Sequence, residues 1–329
     1  MKTKNNSILI TGGNGFIGSH LVEFFVKKNY NVISFDRYNI HNSHGWLENS
    51  RYKKKIKFIL GDIRDYDSVY KAIKGCKSVI HLAALIGIPY SYVSPSAYIK
   101  TNVEGTYNVL ELSKNLNIKN IITTSTSEVY GTAFKHKLSE SDLVNAQSPY
   151  AASKIAADQL AISYNLSFNT PVKIIRPFNT FGPRQSFRAV IPTIISQVLN
   201  KKNIKIGNID ATRDFTYVED LCDAFYKIHQ SQKCVGEILN VGMGKEISIR
   251  DLINKINFIT SNNTKIKIEK KRLRPKDSEV NRLRCNNTKI NKLINWKSKY
   301  NLERALIETI DWFKLKENLS HYTNNNYNI

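Results

Sequence analysis

Short apolar runs alternate with longer segments of helical periodicity through the first half of the chain. Several runs are apolar throughout, which is typical of strands that are buried on both faces of a sheet. Between them, apolar residues recur every three or four positions, which predicts amphipathic helices. The predicted strands cover residues 7–11, 31–35, 57–60, 78–82, 120–124 and 172–176, and the predicted helices 16–28, 68–74, 98–116 and 150–168. This alternation predicts an α/β fold with a doubly wound parallel sheet, whose ligands bind at the carboxyl ends of the strands.

The pattern changes after Pro177, where prolines recur and the apolar runs become shorter. We expect two parts, a first domain at residues 1–178 and a smaller region at residues 179–329 that is partly interwoven with it. The polar end of the chain, residues 321–329, is expected to be frayed. In the second part we predict a helix at 191–199 and short strands at 214–218, 236–241 and 265–269.

The composition adds one unusual feature, a net charge of +22 over 329 residues. Such a charge is compatible with a nucleic-acid-binding protein. However, the basic residues are scattered, and no Lys/Arg run alternates with aromatic residues as a base-stacking surface requires. The excess of lysine accompanies many Asn and Ile residues, as AT-rich coding produces. We therefore expect no nucleic acid as a partner, and we expect some arginines to bind an anionic substrate.

The four cysteines are not paired at metal-ligand spacing, so we expect no metal and a reduced, cytoplasmic protein. The first residues show no cleavable signal pattern, and no apolar stretch approaches the length of a membrane span, so we expect no membrane partner.

A glycine-rich segment joins the first strand to the first helix. Gly12, Gly15 and Gly18 follow the spacing G-x-x-G-x-x-G, which lets the backbone approach a pyrophosphate at the helix N-terminus. Glycines alone are weak support for a dinucleotide-binding site. Here the support is stronger, because a strand precedes the glycines and Asp36 ends the next strand. A carboxylate there accepts hydrogen bonds from the adenosine ribose and repels a 2′-phosphate, which favours NAD over NADP. Arg37 could soften that preference.

Further candidate cofactor residues follow the third and fourth strands. Asp62 is placed to reach the adenine amino group, although a turn residue is the alternative. Ala83 and Ala84 are small where the nicotinamide ribose passes close to the backbone, and His81 before them favours a structural role. The complete cofactor set is Gly12, Gly15, Phe16, Ile17, Gly18, Asp36, Arg37, Asp62, Ile63, Ala83, Ala84, Tyr150 and Lys154.

Tyr150 and Lys154 are four residues apart on a predicted helix and so lie on the same face. A phenol with a pKa of about 10 is a poor base at neutral pH, but a nearby ammonium and a nicotinium ring both lower that pKa. The alternative is a solvated helix face. We favour a catalytic pair, because the two residues follow a dinucleotide-binding segment and the Ser/Thr-rich strand end at residues 123–127.

These motifs together resemble the extended short-chain dehydrogenase/reductases that act on nucleotide sugars. The resemblance implies a Rossmann domain that binds NAD, a substrate-binding C-terminal region and a homodimer formed through the two long helices. It also implies that Thr126 binds the sugar O4, that Tyr150 is the base on that hydroxyl and that Lys154 orients ribose and tyrosinate. The resemblance is carried by residues 11–18, 61–62, 81–84, 125–131, 150–154, 176–179, 182–184 and 213–215, with Asp220.

Glu128, in the loop after the fifth strand, distinguishes the reactions within this family. The 4-epimerases have no catalytic acid there, whereas the 4,6-dehydratases carry a glutamate. The resemblance implies oxidation at C4, removal of the C5 proton by Glu128, loss of water from C6 and hydride return to C6. The dTDP-glucose dehydratases carry an aspartic acid at the position of Ser127. Here Glu128 itself, Thr126 or a water must protonate the leaving hydroxyl.

Glu128 leaves alternatives open, since UDP-glucuronate decarboxylases share the Thr-Ser-Glu arrangement with the GDP-mannose 4,6-dehydratases. Decarboxylases commonly carry an arginine between the catalytic tyrosine and lysine, whereas this chain has Ala151, Ala152 and Ser153 there. A UDP-sugar 4-epimerase is a further alternative. The second alternative, of a different class, is a non-enzymatic basic binding protein. Such a protein would need none of the catalytic residues.

A narrower resemblance, over residues 85–92, 148–154 and 188–193, is to the legionaminic acid pathway dehydratases that act on GDP-N-acetylglucosamine. We take that nucleotide sugar as the leading substrate. Arginine forks suit phosphate oxygens, although any one of them could be a solvated charge, and an aromatic loop could equally pack as core. The expected substrate-binding residues are Tyr90, Asn179, Arg184, Arg213 and Arg274.

Overall fold

The computed structural model describes residues 6–133, 137–320 and 322. Its main element is a seven-stranded parallel sheet with the strand order β11-β6-β5-β4-β1-β2-β3. The predicted doubly wound α/β fold is therefore confirmed. The strands are β1 (Ser7–Thr11), β2 (Asn31–Arg37), β3 (Ile56–Gly61), β4 (Ser78–His81), β5 (Asn120–Thr124), β6 (Val172–Pro177), β7 (Thr180–Phe181), β8 (Ile204–Ile206), β9 (Thr212–Arg213), β10 (Thr216–Tyr217), β11 (Ile238–Val241), β12 (Ile247–Ser248) and β13 (Ile266–Ile268).

Helices cover both faces of this sheet. Apolar residues of α1, α8 and α10 pack on one face, and those of α2, α5 and α6 pack on the other. Since both faces are covered, the central strands are buried at nearly every position, as their apolar sequences predicted. The helices are α1 (Phe16–Lys27), α2 (Tyr66–Ile73), α3 (Ile88–Val93), α4 (Pro95–Tyr98), α5 (Gly105–Asn115), α6 (Pro149–Phe168), α7 (Val190–Leu199), α8 (Val218–Gln230), α9 (Ile249–Ile259), α10 (Thr288–Ile294), α11 (Leu302–Lys314) and α12 (Lys316–Ser320).

The helix predicted at 98–116 starts earlier and is not uniformly α-helical. A π-helical segment, Ile99–Glu104, joins α4 to α5. Within it, the buried Asn102 accepts a hydrogen bond from Leu85 N at 2.8 Å and donates to Leu85 O and to Ser153 Oγ, each at 2.9 Å. Such segments often occur at functional sites. Here the wider turn carries an amide that ties the loop after β4 to α6.

The strand predicted at 214–218 is confirmed only at Thr216–Tyr217, which form β10. Two short strands, β9 and β10, flank the buried Asp214, and Val218 is already the first residue of α8. The carboxylate of Asp214 accepts hydrogen bonds from the backbone of Met243, Gly244 and Cys285. A buried carboxylate that collects backbone donors needs an irregular backbone around it, and this interrupts the strand.

The seventh strand of the main sheet comes from the second half of the chain. β11 pairs in parallel with β6, with Ile238 opposite Ile174 and Val241 opposite Pro177. At the end of the chain, Tyr322 is buried and donates a hydrogen bond to Gln185 O at 2.8 Å, so the expected fraying does not hold there. The rest of the 321–329 segment lies outside the described residues. Within the described ranges, no helix is both long and apolar enough to cross a membrane.

Candidate active site

The glycine-rich segment allows two close backbone approaches. Gly12 has a φ of +73°, and a Cβ there would lie 3.0 Å from Ala83 N. A Cβ at Gly18 would lie 2.0 Å from Gly12 O, which is far inside van der Waals contact. Gly15 precedes α1, whose first residues are Phe16 and Ile17. The segment therefore brings bare backbone to the helix N-terminus, where a pyrophosphate can bind.

Asp36 lies beside this segment at the end of β2. Its carboxylate is buried and accepts hydrogen bonds from Asn14 N at 2.8 Å and from Ser34 Oγ at 2.7 Å. Burial raises the pKa of Asp36 to about 6, against the lowering effect of both hydrogen bonds. Arg37 is exposed. The acidic group is thus placed at the carboxyl edge of the sheet, next to the glycine segment, as a ribose-binding carboxylate requires.

Asp62, after β3, is paired in a way that the sequence reasoning did not include. Its carboxylate accepts hydrogen bonds from Arg64 Nε and from Arg64 N, both at 2.9 Å. These bonds lower the pKa of Asp62, chiefly through the side chain of Arg64. The backbone bond is a turn contact, so the turn role holds, and the adenine contact stays a prediction. Ile63 is buried, and Asn108 donates to its carbonyl at 3.0 Å.

The end of β4 is fixed by Thr11. Its Oγ1 accepts hydrogen bonds from Leu82 N and Ala83 N, each at 3.1 Å, and lies 2.8 Å from His81 Nδ1. The other ring nitrogen of His81 lies 3.1 Å from Thr106 Oγ1, and burial lowers the pKa of His81 to about 3. His81 is therefore a structural residue that holds the Ala83–Ala84 backbone against the glycine segment.

The five candidate catalytic residues come from two neighbouring elements. Thr126, Ser127 and Glu128 follow β5, where Ser127–Tyr130 forms a short 3₁₀ turn whose Glu128 N donates to Thr126 Oγ1 at 3.2 Å. Tyr150 and Lys154 lie on the first two turns of α6, which Ser148 caps by accepting from Ala151 N at 3.1 Å. Since α6 packs against this turn, the structure brings these groups together at one edge of the sheet.

Tyr150 and Lys154 are both buried, and burial shifts the pKa of each group. Burial raises the pKa of Tyr150, and a hydrogen bond with Thr126 only partly opposes this. Burial also lowers the pKa of Lys154, whose Nζ donates to Thr124 O at 2.6 Å. Among the chain's own groups, desolvation of the phenol is the dominant effect, so the lowering of the tyrosine pKa by the nicotinium ring and the ammonium together stays a prediction.

A buried polar network behind this site escaped the sequence reasoning. Asp158 Oδ2 accepts hydrogen bonds from Ser125 Oγ at 2.8 Å and Arg176 Nε at 3.0 Å. Arg176 Nη1 donates to the hydroxyl of Tyr130 at 2.9 Å, and that hydroxyl donates to Asn240 Oδ1 at 2.8 Å. Asp158 continues the four-residue spacing of the catalytic pair on α6, and this spacing was a usable signal.

Two of the predicted substrate-binding arginines lie in one cluster with Glu128. Arg274 Nη1 is 4.0 Å from Glu128 Oε2 and 3.8 Å from Glu279 Oε1. Arg213 Nη2 is 3.3 Å from the same Glu279 oxygen. Glu279 was not predicted, although it follows Arg274 closely in a proline-containing, acidic loop. The cluster joins a candidate catalytic carboxylate to side chains that suit phosphate oxygens.

The remaining predicted substrate residues are placed differently. The buried side-chain oxygen of Asn179 accepts no hydrogen bond from the described part of the chain and can still accept one from a ligand. Tyr90 packs against Tyr98, whose ring lies edge-on to Tyr150. Arg184 forms its ion pair with Glu23 of α1, at 3.2 Å, and not with the other arginines. Its contact with a substrate stays a prediction.

No metal site is formed by the side chains that the structure describes. Within residues 6–133, 137–320 and 322, no three His, Cys, Asp or Glu side chains converge to hold an ion. All four cysteines are free and buried. Carboxylates and guanidinium groups converge around Glu128, and the guanidinium groups suit an anionic ligand.

Comparison with known proteins finds similarity to nucleotide-sugar enzymes over most of the chain. A dTDP-D-glucose 4,6-dehydratase of Dictyostelium discoideum is 35% identical over 76% of this chain, which spans 61% of that relative. A UDP-N-acetyl-α-D-glucosaminuronate decarboxylase of Bacillus cytotoxicus is 32% identical, with 94% of this chain and 98% of the relative covered. The crystal structure of dTDP-glucose 4,6-dehydratase from Bacillus anthracis in complex with NAD superposes with a TM-score of 0.84 at 27% identity, covering 94% of this chain and 97% of that one.

The family assignment rests on the length of chain that is matched. The family model described as GDP-mannose 4,6 dehydratase matches residues 9–309, from the first strand of the sheet to the last long helix. This range includes the glycine segment, the catalytic turn and the arginine cluster. The chain therefore belongs to the GDP-mannose 4,6-dehydratase family, as the resemblance to extended short-chain dehydrogenase/reductases implied.

Proposed function

We propose that the protein is an NAD-dependent 4,6-dehydratase of a nucleotide-activated hexose. The observation that carries this proposal is the placement of Glu128, a buried carboxylate that faces Tyr150 and adjoins Arg274. A hydride transfer alone needs the tyrosine and the lysine. A carboxylate beside them supplies the second proton transfer that a dehydration requires.

The glycine segment, Asp36 and the Ala83–Ala84 backbone would hold NAD. The chemistry that bound NAD supplies is reversible hydride transfer, from C4 at the start and to C6 at the end. The carboxylate of Asp36 would accept hydrogen bonds from the adenosine ribose, in place of those from Asn14 N and Ser34 Oγ. Lys154 would hold the nicotinamide ribose.

The protons are handled by this chain's own side chains. Tyr150 takes the proton of the C4 hydroxyl, which Thr126 holds in place. Oxidation at C4 acidifies the C5 proton, and Glu128 removes it. Two protons are removed, one from O4 and one from C5. Two protons are returned, one to the departing C6 hydroxyl and one to C5 when the hydride reaches C6. The net change is therefore the loss of one water. Ser127 is a poor acid, so Glu128 is our candidate donor to the leaving hydroxyl.

We take GDP-N-acetylglucosamine as the leading substrate, on the resemblance of residues 85–92 and 188–193 to the legionaminic acid pathway dehydratases. Arg213 and Arg274 would bind the diphosphate, together with Asn179. Arginine suits this task because its planar donors match pairs of phosphate oxygens.

Incubation with four nucleotide sugars, followed by mass measurement of the products, tests both reaction and substrate. The panel is GDP-N-acetylglucosamine, UDP-N-acetylglucosamine, GDP-mannose and dTDP-glucose. A product lighter by one water is expected from one of them. Glu128→Gln should abolish that product while NAD stays bound, and a fully active Glu128→Gln enzyme would refute the assignment.

A UDP-glucuronate decarboxylase is the second candidate. The guanidinium of Arg274 beside Glu128 supports it, since a cation at that position suits a C6 carboxylate. The small residues Ala151, Ala152 and Ser153 disfavour it. Carbon dioxide released from UDP-glucuronate would establish this activity, and an epimeric product without mass change would indicate a 4-epimerase. Salt-dependent nucleic-acid binding without turnover would indicate a basic binding protein.

We also propose a cytoplasmic homodimer formed through α5 and α6. Both helices carry large apolar side chains on their outer surface, which an interface would cover. These exposed residues are Tyr107, Leu166 and Phe168. Light scattering of the purified protein should give twice the chain mass, and Leu166→Glu should reduce it to one chain.

A further inference from the structure

The guanidinium of Arg274 lies between two carboxylates without bonding to either. Its Nη1 atom is 4.0 Å from Glu128 Oε2 and 3.8 Å from Glu279 Oε1. These distances permit ion pairing but exceed those of a hydrogen bond. Nη1 is buried, and within the described residues nothing accepts its hydrogen bond. Since a buried donor without an acceptor is unfavourable, this atom is ready to bond to whichever acceptor comes closer.

Glu279 is the better anchored of the two carboxylates. Its carboxylate also pairs with Arg213 at 3.3 Å, and Arg213 Nη1 is held by Thr212 O at 2.9 Å. Its backbone is fixed as well, because Gln147 Nε2 lies 3.5 Å from Glu279 O and donates to Asp277 O at 2.9 Å. Glu279 therefore stays in place and attracts Arg274 away from Glu128.

We propose that Glu279 is a positioning residue that keeps Arg274 from closing on Glu128, so that the carboxylate of Glu128 stays available to the substrate. This inference rests on the proposed dehydratase function. The side chains that face Glu128 are Arg274, Arg213 and Tyr150, and only the two arginines are cationic. With Glu279 present, the two arginines share two carboxylates, and Nη1 keeps a donor for a phosphate oxygen.

Removal of the Glu279 charge leaves Glu128 as the nearest carboxylate to both arginines. Arg274 should then bond to Glu128 and occupy it. We expect Glu279→Gln to lower kcat by about 10-fold, a part of the ~10²–10⁴-fold that a positioned acid–base group contributes. Its KM should also rise, since Arg213 loses its partner.

The double variant Glu279→Gln/Arg274→Gln separates this role from a merely structural one. Without Arg274, Arg213 is the cation that still faces Glu128, and Thr212 O holds its Nη1 atom at 2.9 Å, so kcat should recover several-fold over the single variant while KM rises further. A structural role predicts that the double variant is no better than the single one. Glu237→Gln is the control: Glu237 pairs with Lys289 at 2.6 Å, outside the cluster, and its loss should leave kcat unchanged.

A crystal structure of NAD-loaded Glu279→Gln tests the same proposal without turnover. We expect Arg274 Nη1 to move from 4.0 Å to hydrogen-bond distance of Glu128 Oε2. A guanidinium that stays where it is, or a double variant with no recovery of kcat, would overturn the proposal. If the wild type turns over none of the four nucleotide sugars but Arg274 closes on Glu128, the dehydratase assignment fails and the positioning role stands.

Discussion

Asp158 and Arg176 form a buried ion pair, with 3.0 Å between Oδ2 and Nε, behind the Ser127–Tyr130 turn that contains Glu128. The pair connects Ser125, which directly follows β5, to Tyr130 at the end of that turn. It fixes the two ends of the segment that contains Thr126 and Glu128. The position of the candidate base thus depends on charges that do not touch the substrate.

Loss of this pair should strongly destabilise the fold. Asp158→Ala leaves the guanidinium of Arg176 buried and unpaired, which typically costs about 3–5 kcal/mol in the free energy of unfolding. Urea unfolding followed by circular dichroism measures the loss. The exposed pair between Asp210 and Arg250 is the control, since Asp210→Ala should cost less than about 1 kcal/mol. Equal losses in both variants would contradict the prediction.

The pKa of Asp36 predicts a pH dependence of stability. The carboxyl has a raised pKa of about 6 in the folded protein, so the folded state binds its proton more tightly than the unfolded state. The contribution of Asp36 to stability is therefore complete at acid pH and is lost as pH rises to about 6. Urea unfolding at pH 4 to 7 should show Asp36→Asn losing less stability over this range than the wild type.

Asp214 provides the control for that titration, because burial also raises its pKa to about 6. We expect its three backbone hydrogen bonds to persist when NAD binds, whereas those of Asp36 would be exchanged for the ribose. Addition of NAD should therefore change the pH dependence of stability in the wild type and in Asp214→Asn, which both keep Asp36, and leave that of Asp36→Asn unaffected. An identical effect of NAD in both variants would argue against Asp36 as the ribose-binding residue.

Substitutions of two glycines in the predicted cofactor segment should distinguish an effect on folding from an effect on NAD binding. A Cβ at Gly18 would lie 2.0 Å from Gly12 O, whereas a Cβ at Gly15 would lie at an ordinary 3.4 Å from the same oxygen. Gly18→Ala should lower the melting temperature even without NAD. Gly15→Ala should keep that melting temperature and lose NAD affinity, because the methyl group enters the space of the pyrophosphate. Thermal unfolding and NAD titration of both variants measure the difference.

Tyr150→Phe should bind NAD and substrate but lower kcat by ~10²–10⁴-fold, the usual contribution of a positioned base. Because burial raises the pKa of Tyr150, the wild-type rate should increase with pH through neutrality, as more tyrosinate is formed. A wild-type rate that is flat up to pH 9 would show that the bound cofactor and Lys154 lower that pKa fully. Steady-state kinetics over this pH range distinguish the two outcomes.

The sequence predicted the features that local patterns determine. Apolar runs identified the central strands, and the glycine spacing with Asp36 predicted the edge of the sheet at which we expect the cofactor. Prediction from the sequence failed where distant residues determine the local structure. Asp214 is an example, because its backbone partners lie 29 to 71 residues further along the chain. Glu279 was missed for the same reason, because its place beside Glu128 follows from the folded loop and not from any spacing.

The pairing of β11 with β6 affects how the protein can be divided. A fragment that stops at residue 178 would lack β11 and leave β6, which is buried along its whole length, as an open parallel edge. Such an apolar edge is a template for pairing with other chains. The half that carries the glycine segment and the candidate catalytic residues is thus unsuited to independent expression, and a minimal fragment has to extend beyond Val241.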